Sequence, residues 1–180
     1  MSTTSLITAP VRIAFPHLFT PKAKSDEKPD QLVYQCVLLL PPDTDLGPYN
    51  AAIQAAIKET WGKEPPRWRS PLLEAANKSH LDGYEDGWWY INLQSKRRPG
   101  VVDRMGIPIG DPEAVYGGQW VKAFINAFAW DNKTGGKGVS FGLNGIQVVK
   151  DGDRRFGAGQ VDVTKVFKPL SDDDLLGDLI

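Results

Sequence analysis

The sequence has few of the residues on which disulfides, metal sites and membrane spans depend. It holds one cysteine, Cys36, and two histidines in 180 residues, which excludes an intramolecular disulfide and leaves no set of soft ligands for structural zinc. No apolar run approaches the ~20 residues that span a bilayer, and residues 1–13 lack a signal-peptide pattern. We therefore expect a cytoplasmic protein that needs no membrane, cofactor or bound metal.

Net charge is also nearly absent, which taken alone argues against a nucleic-acid partner. The 21 Lys and Arg residues against 22 Asp and Glu residues give a net charge of −1. Four of those acids and none of the bases lie in residues 172–180, so residues 1–171 carry a charge of +3. The sequence therefore divides into a mildly basic body and an acidic tail.

Short apolar segments separated by glycine and proline dominate what is present. The 18 glycines and 14 prolines interrupt the chain about every ten residues, which disfavours a helical bundle. The patterns predict strands at 11–15, 31–40, 88–93, 119–130, 139–149 and 161–167, an amphipathic helix at 48–61, and loops at 21–30 and 62–87. We predict a mainly β fold, an OB-like five-stranded Greek-key barrel with one helix and long loops, over residues 1–170, and a disordered acidic C-terminal tail at 171–180.

Residues 119–130 (QWVKAFINAFAW) alternate without a break. Their odd positions are small and apolar, whereas their even positions mix aromatic, cationic and amide side chains, which a core rarely accepts. We therefore expect the odd face to pack inward. Exposed aromatic rings stack unpaired bases at ~1–3 kcal/mol per base, and the predicted stacking residues are Trp120, Phe124, Phe128, Trp130 and Trp88. The alternative, that these rings are core and Lys122 reaches past them, stays open.

Cations accompany the aromatic strands in the sequence. A charge run alone is typical of a solvated surface, but its pairing with aromatics favours a nucleic-acid interface. The predicted phosphate-binding residues are Lys122, Lys96, Arg97, Arg98, Lys133 and Lys137. Those at 133 and 137 lie in a glycine-rich connection, 131–138, which predicts a hairpin turn rather than a phosphate-binding P-loop.

The acidic tail ends on apolar residues, which solubility alone does not require. We predict that it competes for the basic surface of its own chain, or docks its end on a partner protein. The predicted tail residues are Asp172, Asp173, Asp174, Asp178, Leu179 and Ile180. An ordinary frayed terminus is the alternative.

Signatures of catalysis are sparse, and we predict no catalytic residue. The carboxylates Asp82, Glu85, Asp86, Asp103 and Asp111 offer the ligands for a Mg²⁺-dependent nuclease or junction resolvase, but their glycine neighbours favour turns. Cys36 lies in an apolar strand with no histidine nearby, which favours a core thiol over a nucleophile. A protein-interaction adaptor without DNA affinity is the third open class.

Several short motifs, in their order and spacing over most of the chain, resemble a family of phage single-stranded-DNA-binding proteins once known only as a domain of unknown function. They are Phe15-Pro16-His17-Leu18-Phe19, the Tyr34 strand ending at Pro41, Trp61-Gly62, Asp82-Gly83, Tyr116-Gly117-Gly118, and Lys137-Gly138-Val139-Ser140 before Gly142-Leu143-Asn144. The resemblance implies an OB fold, sequence-independent binding of single-stranded DNA without catalysis, and a role in phage replication or recombination in the host-cell cytoplasm. Binding of duplex DNA stays open, and the tail would meet phage replication or recombination proteins. Related tails end on an aromatic residue, whereas this one ends on Leu179-Ile180.

Overall fold

Five strands form a closed ring in the computed structural model, which describes residues 3–157, 167 and 169–172. The sheet of the described residues has eight strands: β1 (Ser5–Ile7), β2 (Val11–Ser25), β3 (Lys28–Leu40), β4 (Leu73–Glu74), β5 (Trp89–Ser95), β6 (Gly100–Val102), β7 (Trp120–Asn132) and β8 (Gly136–Lys150). The ring runs β2, β3, β5, β8, β7 and back to β2, and every pair in it is antiparallel except β5–β8. The predicted mainly β architecture of five principal strands is confirmed.

One helix, α1 (Gly47–Trp61), follows β3, as the sequence predicted for 48–61. Pro48 occupies its first turn, where no intrahelical N–H bond is lost. Its buried residues, spaced at helical intervals, join the core inside the ring, and the Tyr49 ring meets Phe141 of β8 edge-on at 6.2 Å. Among the described residues, no helix is long and apolar enough to cross a bilayer.

The main core fills the inside of the ring. Inward side chains from every strand of the ring are almost fully buried, among them Ile13, Leu38, Ile91, Ile125 and Phe141. Burial of each such side chain contributes ~1.5–3 kcal/mol, so this cluster is the main source of the ring's stability.

A second, smaller core lies on the outside of β2, β3 and β5. Ala14, Val37, Leu39 and Tyr90 point outward from these strands and pack with residues of the 62–87 excursion. That segment contains only β4 and a short 3-10 helix (Ala75–Lys78), in keeping with the predicted lack of regular structure. Because both faces are covered, β3 is buried continuously from Cys36 to Leu40, which accounts for its unbroken apolar run.

The predicted loop at 21–30 is wrong, because β2 continues to Ser25 and β3 already begins at Lys28. The two strands form a hairpin closed by Asp26 and Glu27. Pro16 and Pro21 lie where the register of the β2–β3 pair shifts, so the ladder does not require their missing N–H groups. The three-residue strands β1 and β6 were not predicted, since so short a segment shows no periodicity. The predicted strand at 161–167 lies, apart from Phe167, outside the described residues.

Candidate nucleic-acid interface

The alternation of β7 sorts its side chains as the sequence predicted. Of the odd positions, Val121, Ala123, Ile125 and Ala127 are buried in the main core, and Ala129 is half-buried against it. The even positions point out of the ring. Phe124 and Phe128 are among the exposed large apolar residues of the described chain, at 38% and 46% of their full area. The outward side chains of β7, β8 and β5 are called the outer face below.

Small residues of β8 lie opposite the large residues of β7 on the outer face. Gly138 pairs with Trp130, Ser140 with Phe128, and Gly142 with Asn126. The Trp130 ring lies directly over Gly138, where a Cβ atom would overlap it, and its indole N–H donates to Ser140 Oγ at 2.9 Å. Trp130 is therefore half-buried and fixed in orientation, whereas the Phe124 and Phe128 rings keep more of their surface free.

Two predicted stacking residues also contribute to packing. Trp88 packs against the second core, and its ring lies 6.5 Å from that of Trp120. Trp120 is further enclosed by the Arg12 guanidinium and the Lys150 ammonium, at 5.7 and 5.6 Å from its ring. Both rings are half-buried, so they offer less free surface than Phe124 and Phe128. Trp88 and Trp89, adjacent in the chain, lie on opposite sides of the sheet, with Trp89 against the main core.

Arg12 shows that not every cation near these aromatics is available for phosphate. It is 7% exposed, donates from Nη2 to Asp153 Oδ1 at 2.7 Å and from Nε to Gly118 O at 3.1 Å, and lies over the Phe156 ring. Its role is to attach segment 153–156 to the ring.

The predicted phosphate-binding residues fall into two groups. Lys122 points outward beside Phe124, and Lys133 is exposed in the β7–β8 turn. Lys137 is the second residue of β8, and its ammonium lies 5.5 Å from the Trp61 ring. Lys96, Arg97 and Arg98 are exposed after β5, and Arg98 lies over the Phe19 ring at 5.2 Å. Lys122 and Lys133 border the outer face, Lys137 lies beside the same turn with its side chain toward Trp61 of α1, and the second group lies past the end of β5.

The sequence reasoning missed a row of amides that continues the outer face onto the neighbouring strands. Asn92 and Gln94 are exposed on β5, Gln94 pairs with Gly142 on one side and with Gln35 of β3 on the other, and Gln35 pairs with His17. The alternation of β5 carried this signal, because Trp89, Ile91 and Leu93 point the other way. Amides on an accessible sheet face can donate to and accept from nucleobase edges or phosphates.

Two cavities meet at Asn92. One, of about 480 Å³, lies between Trp130 and Arg69, with Ser140 among its lining residues. The other, of about 360 Å³, is lined by Phe15, His17, Lys22 and Lys78 together with the amides of Gln35 and Gln94. Burial, and to a lesser degree the Lys22 charge, lower the pKa of His17, which favours the neutral imidazole here. Arg69 was not predicted; its backbone bridges to Gly138, a contact that no local pattern signals.

The carboxylates considered for magnesium fall in three parts of the chain: Asp82, Glu85 and Asp86 within 82–86, then Asp103, then Asp111. Asp103 Oδ1 accepts from the N–H groups of Met105 and Ile107, Asp111 Oδ1 accepts from that of Glu113, and Asp82 contacts Arg154 and the N–H of Gly157. Within the described part of the chain, no three His, Cys, Asp or Glu side chains are placed to share a metal ion. Cys36 is buried in the main core, and burial raises the pKa of its thiol, in agreement with the predicted core role.

An OB-like ring that carries aromatics, amides and cations on one sheet face is typical of proteins that bind nucleic-acid strands. Residues 4–176 match the family described as Enterobacter phage Enc34, ssDNA-binding protein, and the chain belongs to this family. The p50 protein of Acyrthosiphon pisum secondary endosymbiont phage 1 is 34% identical over 176 residues, covering 89% of this chain and 91% of p50. The class predicted from the sequence, a phage single-stranded-DNA-binding protein, is confirmed by the family match.

Solved structures are similar to this chain in fold. The single-stranded-DNA-binding protein from bacteriophage Enc34, in complex with ssDNA, superposes with a TM-score of 0.72 at 24% identity, covering 87% of this chain and 91% of that one. The single-stranded-DNA-binding protein gp2.5 of bacteriophage T7 gives a TM-score of 0.58 at 17% identity, with 93% and 96% covered. These likenesses bear on the fold, and they confirm the predicted OB-like architecture.

Proposed function

We propose that this chain binds single-stranded DNA without sequence preference, in phage replication or recombination, through the outer face. One observation carries the proposal. The side chains of Lys122, Phe124, Asn126 and Phe128 form a single outward row along β7, and both phenylalanine rings are exposed. Aromatic rings need an unpaired base to stack on, so the row favours single strands over duplex.

Lack of sequence preference follows from the chemistry of the row. Every base has a π face, so stacking on Phe124 and Phe128 accepts any base, and the lysines contact only the phosphates that all sequences share. Beside the two rings the β8 residues are small, with Ser140 opposite Phe128 and Gly145 opposite Phe124, which would leave room for bases. Trp130, held over Gly138, would extend the platform toward the 480 Å³ cavity.

The phosphates would meet cations at the edges of the outer face. Lys122 lies on the row itself, Lys133 borders it at the β7–β8 turn, Lys137 lies beside the same turn, and Arg69 lines the cavity next to Trp130. Lys96, Arg97 and Arg98 form a second exposed group after β5 that a longer strand would reach. Trp120 and Trp88 would act indirectly, by holding the second core against the ring.

The body and the tail would have separate roles, with the DNA-binding domain at 1–170 and the tail at 171–180. The tail residues 173–180 lie outside the described residues, so this part rests on charge: a +3 body and four acidic residues at its end. We propose that the tail competes with DNA for the body, and that its apolar end binds a phage replication or recombination protein.

We propose no catalysis. Three of the carboxylates that a magnesium-dependent nuclease would use, Asp82, Asp103 and Asp111, accept backbone N–H bonds in three separate parts of the chain, which supports a binding role. No feature of the described chain favours a second candidate function.

The test is a fluorescence-anisotropy titration of labelled oligo-dT and of a matched duplex, at two salt concentrations, with and without Mg²⁺. We expect salt-sensitive binding that favours the single strand and leaves both DNAs intact. Magnesium-dependent cutting would make the protein a nuclease, and absence of any binding would leave the adaptor role.

A further inference from the structure

Phe15 has an unusual backbone conformation. Among the described residues it is the one non-glycine residue with a positive φ, at +48°. That region is sparsely populated by residues with a side chain, and bulky residues are rare in it. Phe15 is followed by Pro16, and a proline ordinarily restricts the preceding residue to extended backbone. The chain therefore keeps a large aromatic where glycine would be less strained.

A β-bulge produces this conformation. Ala14 pairs with Val37 and His17 pairs with Gln35, so three steps along β2 face two steps along β3. The extra residue bends the strand and redirects a side chain, and Pro16 can occupy a bulge because no ladder bond is required there. Ala14 is fixed in the second core and Leu18 in the main core, which anchors the bulge from both sides.

The bulge places the Phe15 ring at the border of two cavities. The side chain is 50% exposed and lines both the 360 Å³ cavity and a second one of about 340 Å³. The first cavity offers two lysines, Lys22 and Lys78, and the amides of Gln35, Asn92 and Gln94. The second is more apolar and contains Phe156, with His80 and the ion-paired Asp82 at its edge.

We propose that Phe15 is a base-stacking residue, and that an unpaired nucleobase lies against its ring in the 360 Å³ cavity. This inference rests on the proposed function and adds a contact on β2, across the amide row from Phe124 and Phe128. The cavity volume falls in the ~300–1,000 Å³ range of small-ligand sites. Its amides would meet the base edge, and Lys22 and Lys78 the flanking phosphates. Strained residues concentrate at ligand-binding sites, where the surrounding structure holds them in place.

The experiment compares four variants at one position in the full chain. F15A and F15G both remove the ring, but F15G also removes the strain, because glycine adopts positive φ freely. F15Y and F15W keep a ring. M105A, which trims an exposed side chain that lines none of the cavities described above, is the matched control. Affinity for oligo-dT is measured by anisotropy and stability by thermal unfolding.

We expect F15A and F15G to bind oligo-dT roughly 5- to 150-fold more weakly than the parent, which corresponds to the loss of one stacked base. F15Y, F15W and M105A should bind within about 2-fold of the parent, a small change on the same energy scale. F15G should unfold at a higher temperature than F15A. Weaker binding caused by a damaged fold would therefore be milder in F15G than in F15A, whereas loss of the ring weakens both variants alike.

Parent-like binding by F15G, with the parent binding oligo-dT well, would overturn the role of Phe15 and leave the proposed function standing. Equal loss in F15Y and F15W would also overturn it, because a stacking site accepts those rings. A parent that does not bind oligo-dT would overturn both the role of Phe15 and the proposed function.

Discussion

Gly138 determines where the Trp130 indole lies. The ring covers the Gly138 backbone so closely that a Cβ atom there would overlap it, while its N–H donates to Ser140. The backbone conformation of Gly138 is ordinary, since its φ is not positive, so glycine is required here for space rather than for flexibility. The Trp130 side chain also closes one end of the outer face.

We predict that Gly138→Ala lowers the free energy of unfolding by about 1–3 kcal/mol, because the added methyl group displaces a packed ring. Denaturant titration followed by circular dichroism measures the change. Gly110→Ala is the control, since a Cβ atom at Gly110 meets nothing within 4 Å. Equal stability of the two variants would mean that the indole moves aside at no cost.

At the scale of single residues, the sequence predicted which way the side chains of β7 point but not which of them other residues pack against. Alternation correctly placed Phe124 and Phe128 outward and Val121 inward, because residue type and strand period agree. It did not reveal that Trp120 and Trp88 are half-buried, since the cations at the Trp120 ring, Arg12 and Lys150, and the β2 and β3 residues in the second core with Trp88 are distant along the chain or defined by pairing. It also gave no signal for Phe15, whose position depends on a bulge.

The β7–β8 hairpin is the element that carries most of the proposed interface. Its register places lysines on the row and at its turn, and aromatics opposite glycines and serine between them. Each phosphate contact adds a released counterion, so these lysines determine how affinity depends on salt.

We predict that Lys122→Ala, Lys133→Ala and Lys137→Ala each reduce the slope of log affinity against log salt by about 0.7 on oligo-dT. Titrations at four salt concentrations measure the slope. Lys58→Ala, on the exposed side of α1, should leave it unchanged. If the three variants keep the parental slope, phosphate must be contacted elsewhere, and the exposed group after β5 would be tested next.

Elements with a strong period were predicted well, and those defined by pairing were not. The helix at 48–61 and the β3, β7 and β8 strands matched within a few residues, because each has a clear apolar pattern. The 21–30 segment failed because prolines and charges suggested a loop, whereas the structure pairs it as an edge hairpin in which those residues are tolerated.

At the scale of the whole molecule, charge separates the basic body from the acidic tail. The residues before 172 carry +3 and the last nine residues −4, a contrast that the net charge of −1 conceals. A tethered acidic segment is a competitor at high effective concentration for any basic surface that it can reach.

We predict that deletion of residues 172–180 tightens binding to oligo-dT, and more so at low salt, where electrostatic competition is least screened. A full-length variant with Asp172, Asp173, Asp174 and Asp178 changed to Asn should behave like the deletion. Deletion of Leu179 and Ile180 alone should not change affinity. If the deletion binds no better than the parent, the tail does not compete with DNA.

The most direct test of the account replaces the two exposed rings of β7. Anisotropy titrations would compare the parent and the double variant F124A/F128A on oligo-dT and on a matched duplex, with I107A, another exposed apolar side chain, as control. We predict that the double variant loses roughly 25-fold or more in affinity for the single strand, at ~1–3 kcal/mol per stacked base, with its fold intact because both rings are exposed. Parental affinity in the double variant would contradict the claim that the outer face binds single-stranded DNA.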